Sequence, residues 1–311
     1  MSNIPSSFIK TAKICGIEHS LKYKGHFYVE KHKVLSKFSP KGVIMESKET
    51  PQGIQARVII KKGVKIEEPL FFCFGLLRAD DEQNIYPNII VEDGAYVKII
   101  SHCSFPEAKK ASHQMEAKFD VGRNAEFVYE EHHYHGESSG AVVVPALKVF
   151  INEGGIFESS FSLSKGSVGK VNIELEAYLS KNARTIIETK VLGKTKNDDI
   201  SILDKVVLSG EGAKSLIKMR AAAKDGGKVI MQGETYANAP GAVGHVDCQE
   251  ILVGKGSVAR AIPIVEVDND QARVTHEASV GKINQKELET LMTRGLDEDE
   301  ATELIINAMM R

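Results

Sequence analysis

The sequence predicts a mainly β protein: a β-solenoid that gives way to a helical hairpin at the C-terminal end. Two observations point to it. From about residue 90 small turn-forming residues recur, at Gly94, Asn124, Gly140, Gly155, Gly169, Asn182, Asp198, Gly212, Gly227, Gly241, Gly256 and Asp270. The first interval is a double step, and the others are even. Between the corners lie short alternating runs such as EFVYEE, KVNIELEAYL and RTIIETKVL. Sharp corners separated by β-branched strands of even length are what a stacked coil needs, and two steps make a coil of about 29 residues. A β-sandwich of many short strands is the competing architecture; its strands recur at about 8 to 12 residues, and the spacing here is longer and more uniform.

The second observation is a change of period after Gly281. Asn284 is placed to cap a helix with Glu287 three residues on, Leu288, Leu291 and Met292 make an apolar stripe, and Gly295 stops it. Asp297 repeats the device with Glu300, and Leu304, Ile305, Ala308 and Met309 share one side of the second helix. The hairpin is expected to cap the solenoid's open end and to present a docking surface. This divides the chain into a mixed leader, 1–50, with a short helix possible at Ile9 to Ile14, a β core, 51–281, and a helical region, 282–311.

A chain of 311 residues with a net charge of -2 offers no basic surface for nucleic acid or anionic lipid. No stretch approaches the roughly 20 apolar residues that cross a bilayer, and the N-terminus, MSNIPSSFIKTAKICG, lacks a signal-peptide core, so a cytoplasmic location is expected. The four cysteines, Cys15, Cys73, Cys103 and Cys248, are scattered without a CxxC pair, against a disulfide framework or closed zinc site. The fragments GEGAK and GKGS lack the full spacing of a phosphate loop and read as corners.

Two constellations can carry chemistry. In YEEHHYHGES, residues 129–138, a strand puts Glu131, His133 and His135 on one face and Glu130, His132 and Tyr134 on the other. His133 and His135 can then share a metal with a carboxylate, although a solvent-facing polar strand end is the commoner outcome. The second is Cys248 in GHVDCQEILVG with His276 and Glu277 in VTHEASVG, each close to one inferred coil length further on. Stacking at about 4.8 Å per rung brings thiol, imidazole and carboxylate toward one spot. Such a trio suits an iron–sulfur or zinc ligand shell, or Cys–His nucleophilic catalysis. A buried inert thiol beside an exposed His-Glu pair is the plain structural alternative.

The segment from HVDCQEILVG through VTHEASVGKI to the RG and acidic cap before the last helix resembles the C-terminal core of the SufB/SufD family, the scaffold subunits of SUF iron–sulfur cluster assembly. The likeness extends more weakly back to about residue 90. It implies a right-handed parallel β-helix whose C-terminal helices, residues 284–310, dock a cytosolic ABC-type ATPase, SufC. It implies a scaffold rather than an enzyme, with ATP hydrolysis in the partner and a transient iron–sulfur cluster as cargo. SufB members use a β-helix Cys and a Glu following a His, positions matched by Cys248 and Glu277, with His276 as accessory ligand or proton carrier. SufD members usually have Gly after that His, so this chain stands nearer SufB. The long N-terminal extension and clustered cysteine motif of many SufB proteins are missing. That argues against flavin use and for a minimal system, a homodimer or a SufB/SufD-type pair joined along the last β-helix strands. The rival reading is a metal-dependent hydrolase or carbohydrate-active β-helix enzyme using His133 and His135.

Overall fold

The computed structural model describes residues 9, 12–13, 22–107, 109–136 and 140–310. In chain order its strands are β1 (His26–Glu30), β2 (Lys33–Phe38), β3 (Val43–Thr50), β4 (Gly53–Ile60), β5 (Leu70–Gly75), β6 (Glu82–Val91) and β7 (Tyr96–Phe105). There follow β8 (Ser112–Val121), β9 (Glu126–His135), β10 (Val142–Ile151), β11 (Ile156–Lys165), β12 (Lys170–Leu179) and β13 (Arg184–Gly193). The last are β14 (Asp199–Leu208), β15 (Lys214–Lys224), β16 (Lys228–Ala237), β17 (Val243–Val253), β18 (Val258–Val267) and β19 (Arg273–Lys282), then helices α1 (Gln285–Met292) and α2 (Glu298–Met309).

Odd strands from β5 to β19 form one sheet and even strands from β4 to β18 the other, each strand pairing in parallel with the one two places on. The result is a parallel β-solenoid of about eight coils. Coil length is not constant: Val143 lies beside Val171 in a short coil, and Ile54 beside Ile85 in a longer one. At the start β1 and β2, and likewise β3 and β4, pair antiparallel, and β1 also joins β5. Three strands of the sheets therefore come from the segment expected to be a leader up to residue 50. The helix expected at Ile9 to Ile14 lies largely outside the described residues.

Alternation builds the core. In β9 every second side chain from Phe127 onward is buried, and Phe127 stacks between Val97 and Phe157 of the neighbouring rungs, with ring centroids 5.5 Å apart in the Phe127–Phe157 pair. Each such ring contributes about 1.5–3 kcal/mol by burial. The same inward column continues through Thr185 and Ser215 to Gly244. A Cβ on Gly244 would lie 2.7 Å from a methyl of Thr235, so the interior is narrow at that end. One corner of the coil is a ladder: Gly94, Asn124, Gly154, Asn182, Gly212 and Gly241 all have positive φ and each donates its N–H to a carbonyl one coil on. Only Gly and Asn adopt that backbone cheaply, which is why the period is so plain in the sequence.

The helices start as their caps dictate. Asn284 accepts from the N–H of Lys286 and Glu287, at 3.0 and 3.4 Å, and Asp297 and Glu300 form a reciprocal capping box. Gly295, at φ +95°, makes the turn between them. The buried side of α2 differs from the expected stripe: Ala301, Thr302 and Ile306 face inward, and Ile306 packs on Leu192 and Ala222 on the outside of the solenoid. Lys224 holds Glu303 at 3.0 Å beside that contact. Leu304, Ile305 and Ala308 turn instead to Leu291 and line a groove of about 470 Å³ between the two helices.

Candidate functional site

Cys248 lies in the middle of β17, where Val246, Cys248 and Glu250 are buried while Asp247 and Gln249 lie on the outer face. Cys248 is 1% exposed. Burial, reinforced by the charges of Glu250, Asp247 and Asp204, pushes the thiol up to about 12. Glu250 is raised to about 7 by burial, opposed by Arg220, and neither carboxylate oxygen has a hydrogen-bond partner among the described residues. On the other sheet, Asp204 of β14 is likewise raised to about 7 by burial and accepts a hydrogen bond from Thr189 at 2.7 Å. The interior around Cys248 therefore holds a protonated thiol and two acids that titrate near neutrality.

The rung beyond is β19, and its register is one residue longer than the inferred coil length. Ala278 lies beside Cys248, Val246 beside His276, and Asp247 beside Glu277. His276 thus shares the inward face with Cys248, one diagonal step away. Glu277 is on the outer face with Asp247, which is paired with Arg220. The structure brings together two of the expected trio and turns the third outward, because a single residue of offset exchanges the faces of a strand. Glu250, which the sequence reading passed over, occupies the inward face instead; its parity with Val246 and Cys248 was the available signal. Both His276 and Glu277 are exposed, since β19 is the last strand of its sheet and nothing among the described residues covers its free edge.

The His-rich strand divides as alternation requires, with Glu131, His133 and His135 on one face, but that face is the interior and not solvent. Phe127 and Tyr129, of the same parity, carried that information. Glu131 accepts from His133 at 2.7 Å and from the Tyr129 hydroxyl at 2.9 Å. Burial pushes its carboxyl up, yet the hydrogen bond and charge of His133, with help from Tyr129 and His113, outweigh that and leave it below the usual range. Cys103 on β7 stacks beside His133, and its Sγ lies 3.9 Å from Glu131 and 3.8 Å from Nε2 of His113 on β8. Burial and the Glu131 charge hold the Cys103 thiol well above its ordinary value, and burial with the neighbouring His133 lowers His113 to about 3.

Residues 79–309 match the family described as SUF system FeS cluster assembly, SufBD core domain. The chain belongs to the SufBD family. It is 42% identical to an iron–sulfur cluster assembly SufBD family protein of Methanocaldococcus jannaschii over 282 residues, 91% of this chain and 89% of that one. A SufBD family protein of Pyrococcus horikoshii is 34% identical over 278 residues, covering 89% and 84% of the two chains. One from Archaeoglobus fulgidus is 29% identical over 309 residues, covering 98% and 80%. The SufBD match takes in both the solenoid strands carrying Cys248 and the two C-terminal helices. Among the described residues no helix is long and apolar enough to cross a membrane.

Proposed function

We propose that this SufBD protein is a scaffold on which a nascent iron–sulfur cluster is built, with Cys248 as thiolate ligand and sulfur acceptor. The observation that carries the reading is the family match across residues 79–309 together with a buried thiol that shares its strand's inward face with Glu250, whose carboxylate is unpartnered among the described residues. Thiolate is the ligand iron–sulfur clusters require, and carboxylate and imidazole can complete a shell. His276, on the same face one diagonal step away, is the accessory ligand or proton carrier. Glu277, turned to the outer face beside Asp247, stands outside that inward shell.

Cys248 must lose a proton before it can bind iron or accept sulfur. Glu250, titrating near 7 on the same face, takes that proton, and arriving iron replaces the missing positive charge. This is the work the chain's own residues do; the cluster is cargo.

The helices α1 and α2 dock an ABC-type ATPase of the SufC kind, which supplies ATP hydrolysis, and the chain itself is not the enzyme. Support comes from the apolar groove between them, lined by Leu291, Leu304, Ile305 and Ala308. Two copies pair along β18 and β19, the last strands of their sheets, where Val258, Val267 and Val280 are exposed. The location is cytoplasmic and no flavin is needed. The test of scaffold function is transfer: protein loaded anaerobically with iron and sulfide should hand its cluster to an apo iron–sulfur acceptor. Retention of the cluster, with no gain by the acceptor, would contradict the role.

A further inference from the structure

We propose that the solenoid interior between β7, β8 and β9 binds one divalent transition-metal ion of the iron(II) or zinc(II) kind through Cys103, His113, Glu131 and His133. The donors come from three strands: Cys103, Glu131 and His133 converge, and His113 flanks the sulfur. The ligand atoms of Cys103, Glu131 and His133 lie within 4.8 Å of one another, and Nε2 of His113 is 3.8 Å from the Cys103 sulfur. All four residues are at most 5% exposed. A four-coordinate ion with bonds of about 2.0–2.3 Å separates its ligands by about 3.3–3.8 Å. The sulfur–nitrogen separation of 3.8 Å reaches the top of that range, and the sulfur–oxygen separation of 3.9 Å lies just beyond it. Glu131 and His133, at 2.7 Å, share a hydrogen bond whose proton the ion would displace, with the oxygen and nitrogen moving apart by about 0.6 Å.

The surroundings set each donor for coordination. Gln83 gives its amide N–H to the carbonyl of Lys31 at 2.7 Å, which fixes its oxygen toward Nδ1 of His113 at 2.9 Å. His113 therefore carries its proton on Nδ1 and presents the lone pair of Nε2 to Cys103, the arrangement that outer partners impose on metal-bound histidines. The Tyr129 hydroxyl occupies Oε2 of Glu131 and leaves Oε1 facing the cluster. Ion binding releases the Cys103 proton and the one shared by His133 and Glu131, so charge is balanced without any redox step.

Simple packing does not account for this set. A thiol, a carboxylate and three imidazoles lie among Phe105, Phe161 and other apolar groups, where hydrocarbon side chains would fold at lower cost. Nδ1 of His133 and both ring nitrogens of the buried His135 have no hydrogen-bond partner among the described residues. His135 stacks 6.0 Å from His133 at the end of β9.

The proposal does not rest on the role given to Cys248. Glu131 and Cys248 lie in one interior column, separated by Phe161, Thr189 and Met219. That is four rungs, or about 19 Å. The test is anaerobic titration of the metal-stripped full-length protein with cobalt(II), with iron(II) and zinc(II) as competitors to rank the two. Expected are one cobalt per chain, the intense visible bands of a tetrahedral ion and a sulfur-to-cobalt charge-transfer band. That band should vanish in Cys103→Ser and persist in Cys248→Ser, and His133→Gln should weaken binding at least tenfold. A wild-type protein without the charge-transfer band, or a band that depends on Cys248 and not on Cys103, overturns the proposal. Should the variants fail to fold, X-ray absorption on the cobalt-loaded wild type decides: one sulfur among nitrogen and oxygen ligands supports it, and no sulfur or several overturns it.

Discussion

Glu250 and Cys248 point into the same stretch of the solenoid interior, two positions apart on β17, and the Glu250 charge helps hold the Cys248 thiol protonated. Burial is the larger cause, so removing the charge should lower the thiol only partway. Glu250→Gln is expected to move the pH profile of Cys248 alkylation to lower pH, read by site-resolved mass spectrometry. An unchanged profile would show that the two groups do not communicate.

Asp204 and Glu250 make stability depend on pH. Each is raised by burial to about 7, from ordinary values of 3.8 and 4.5. Between those ordinary values and pH 7 the folded chain binds protons that the unfolded chain has lost, so stability falls as pH rises through this window and levels off above it. For Asp204 the span from 3.8 to about 7 corresponds to an upper bound on the order of 4 kcal/mol. Asp204→Asn keeps an acceptor for Thr189 and removes the charge. Its melting temperature should exceed the wild type's by several degrees at pH 8 and match it near pH 4.5; parallel melting curves across that range would refute the assignment.

The two faces of α2 should separate by mutation. Ile306 is fully buried against Leu192 and Ala222, so Ile306→Ala should cost about 2–4 kcal/mol of docking and expose the helices to proteolysis. Leu304 is 45% exposed in the groove with α1. Leu304→Asp should leave protease resistance intact and abolish co-purification with an ATPase subunit. If capture survives this change, the groove is not the docking surface.

Val280, 47% exposed on the free edge strand β19, bears on self-association. Val280→Lys is expected to convert a dimer to a monomer in sedimentation experiments, since a charge on the joining edge opposes strand pairing. A wild-type protein that sediments as a monomer at all concentrations would remove that part of the account.

Much of this was legible in the residues. The corner ladder announced itself because positive φ admits little besides Gly and Asn, and the caps at Asn284 and Asp297 act locally, so sequence neighbours suffice to find them. Alternation also divided Glu131, His133 and His135 from their neighbours. What alternation cannot fix is register across coils. Coils differ in length, as the pairs Val143–Val171 and Ile54–Ile85 show, and a single residue decides whether Glu277 or Ala278 stacks beside Cys248. The same limit hid His113 and Cys103, which meet Glu131 and His133 only when three strands close around the interior. Ile306 escaped notice because its partners, Leu192 and Ala222, are on the outside of strands whose cores face the other way.

The central claim is that Cys248 is a ligand for the cluster, and anaerobic reconstitution with iron and sulfide tests it most directly. Wild-type and Cys248→Ala proteins, matched for fold by circular dichroism, are loaded in parallel, and bound iron, acid-labile sulfide and the visible sulfide-to-iron absorption are measured. The wild type should take up all three in proportion, and Cys248→Ala should retain little of the absorption or the sulfide. A Cys248→Ala protein that assembles as much cluster as the wild type would contradict the claim.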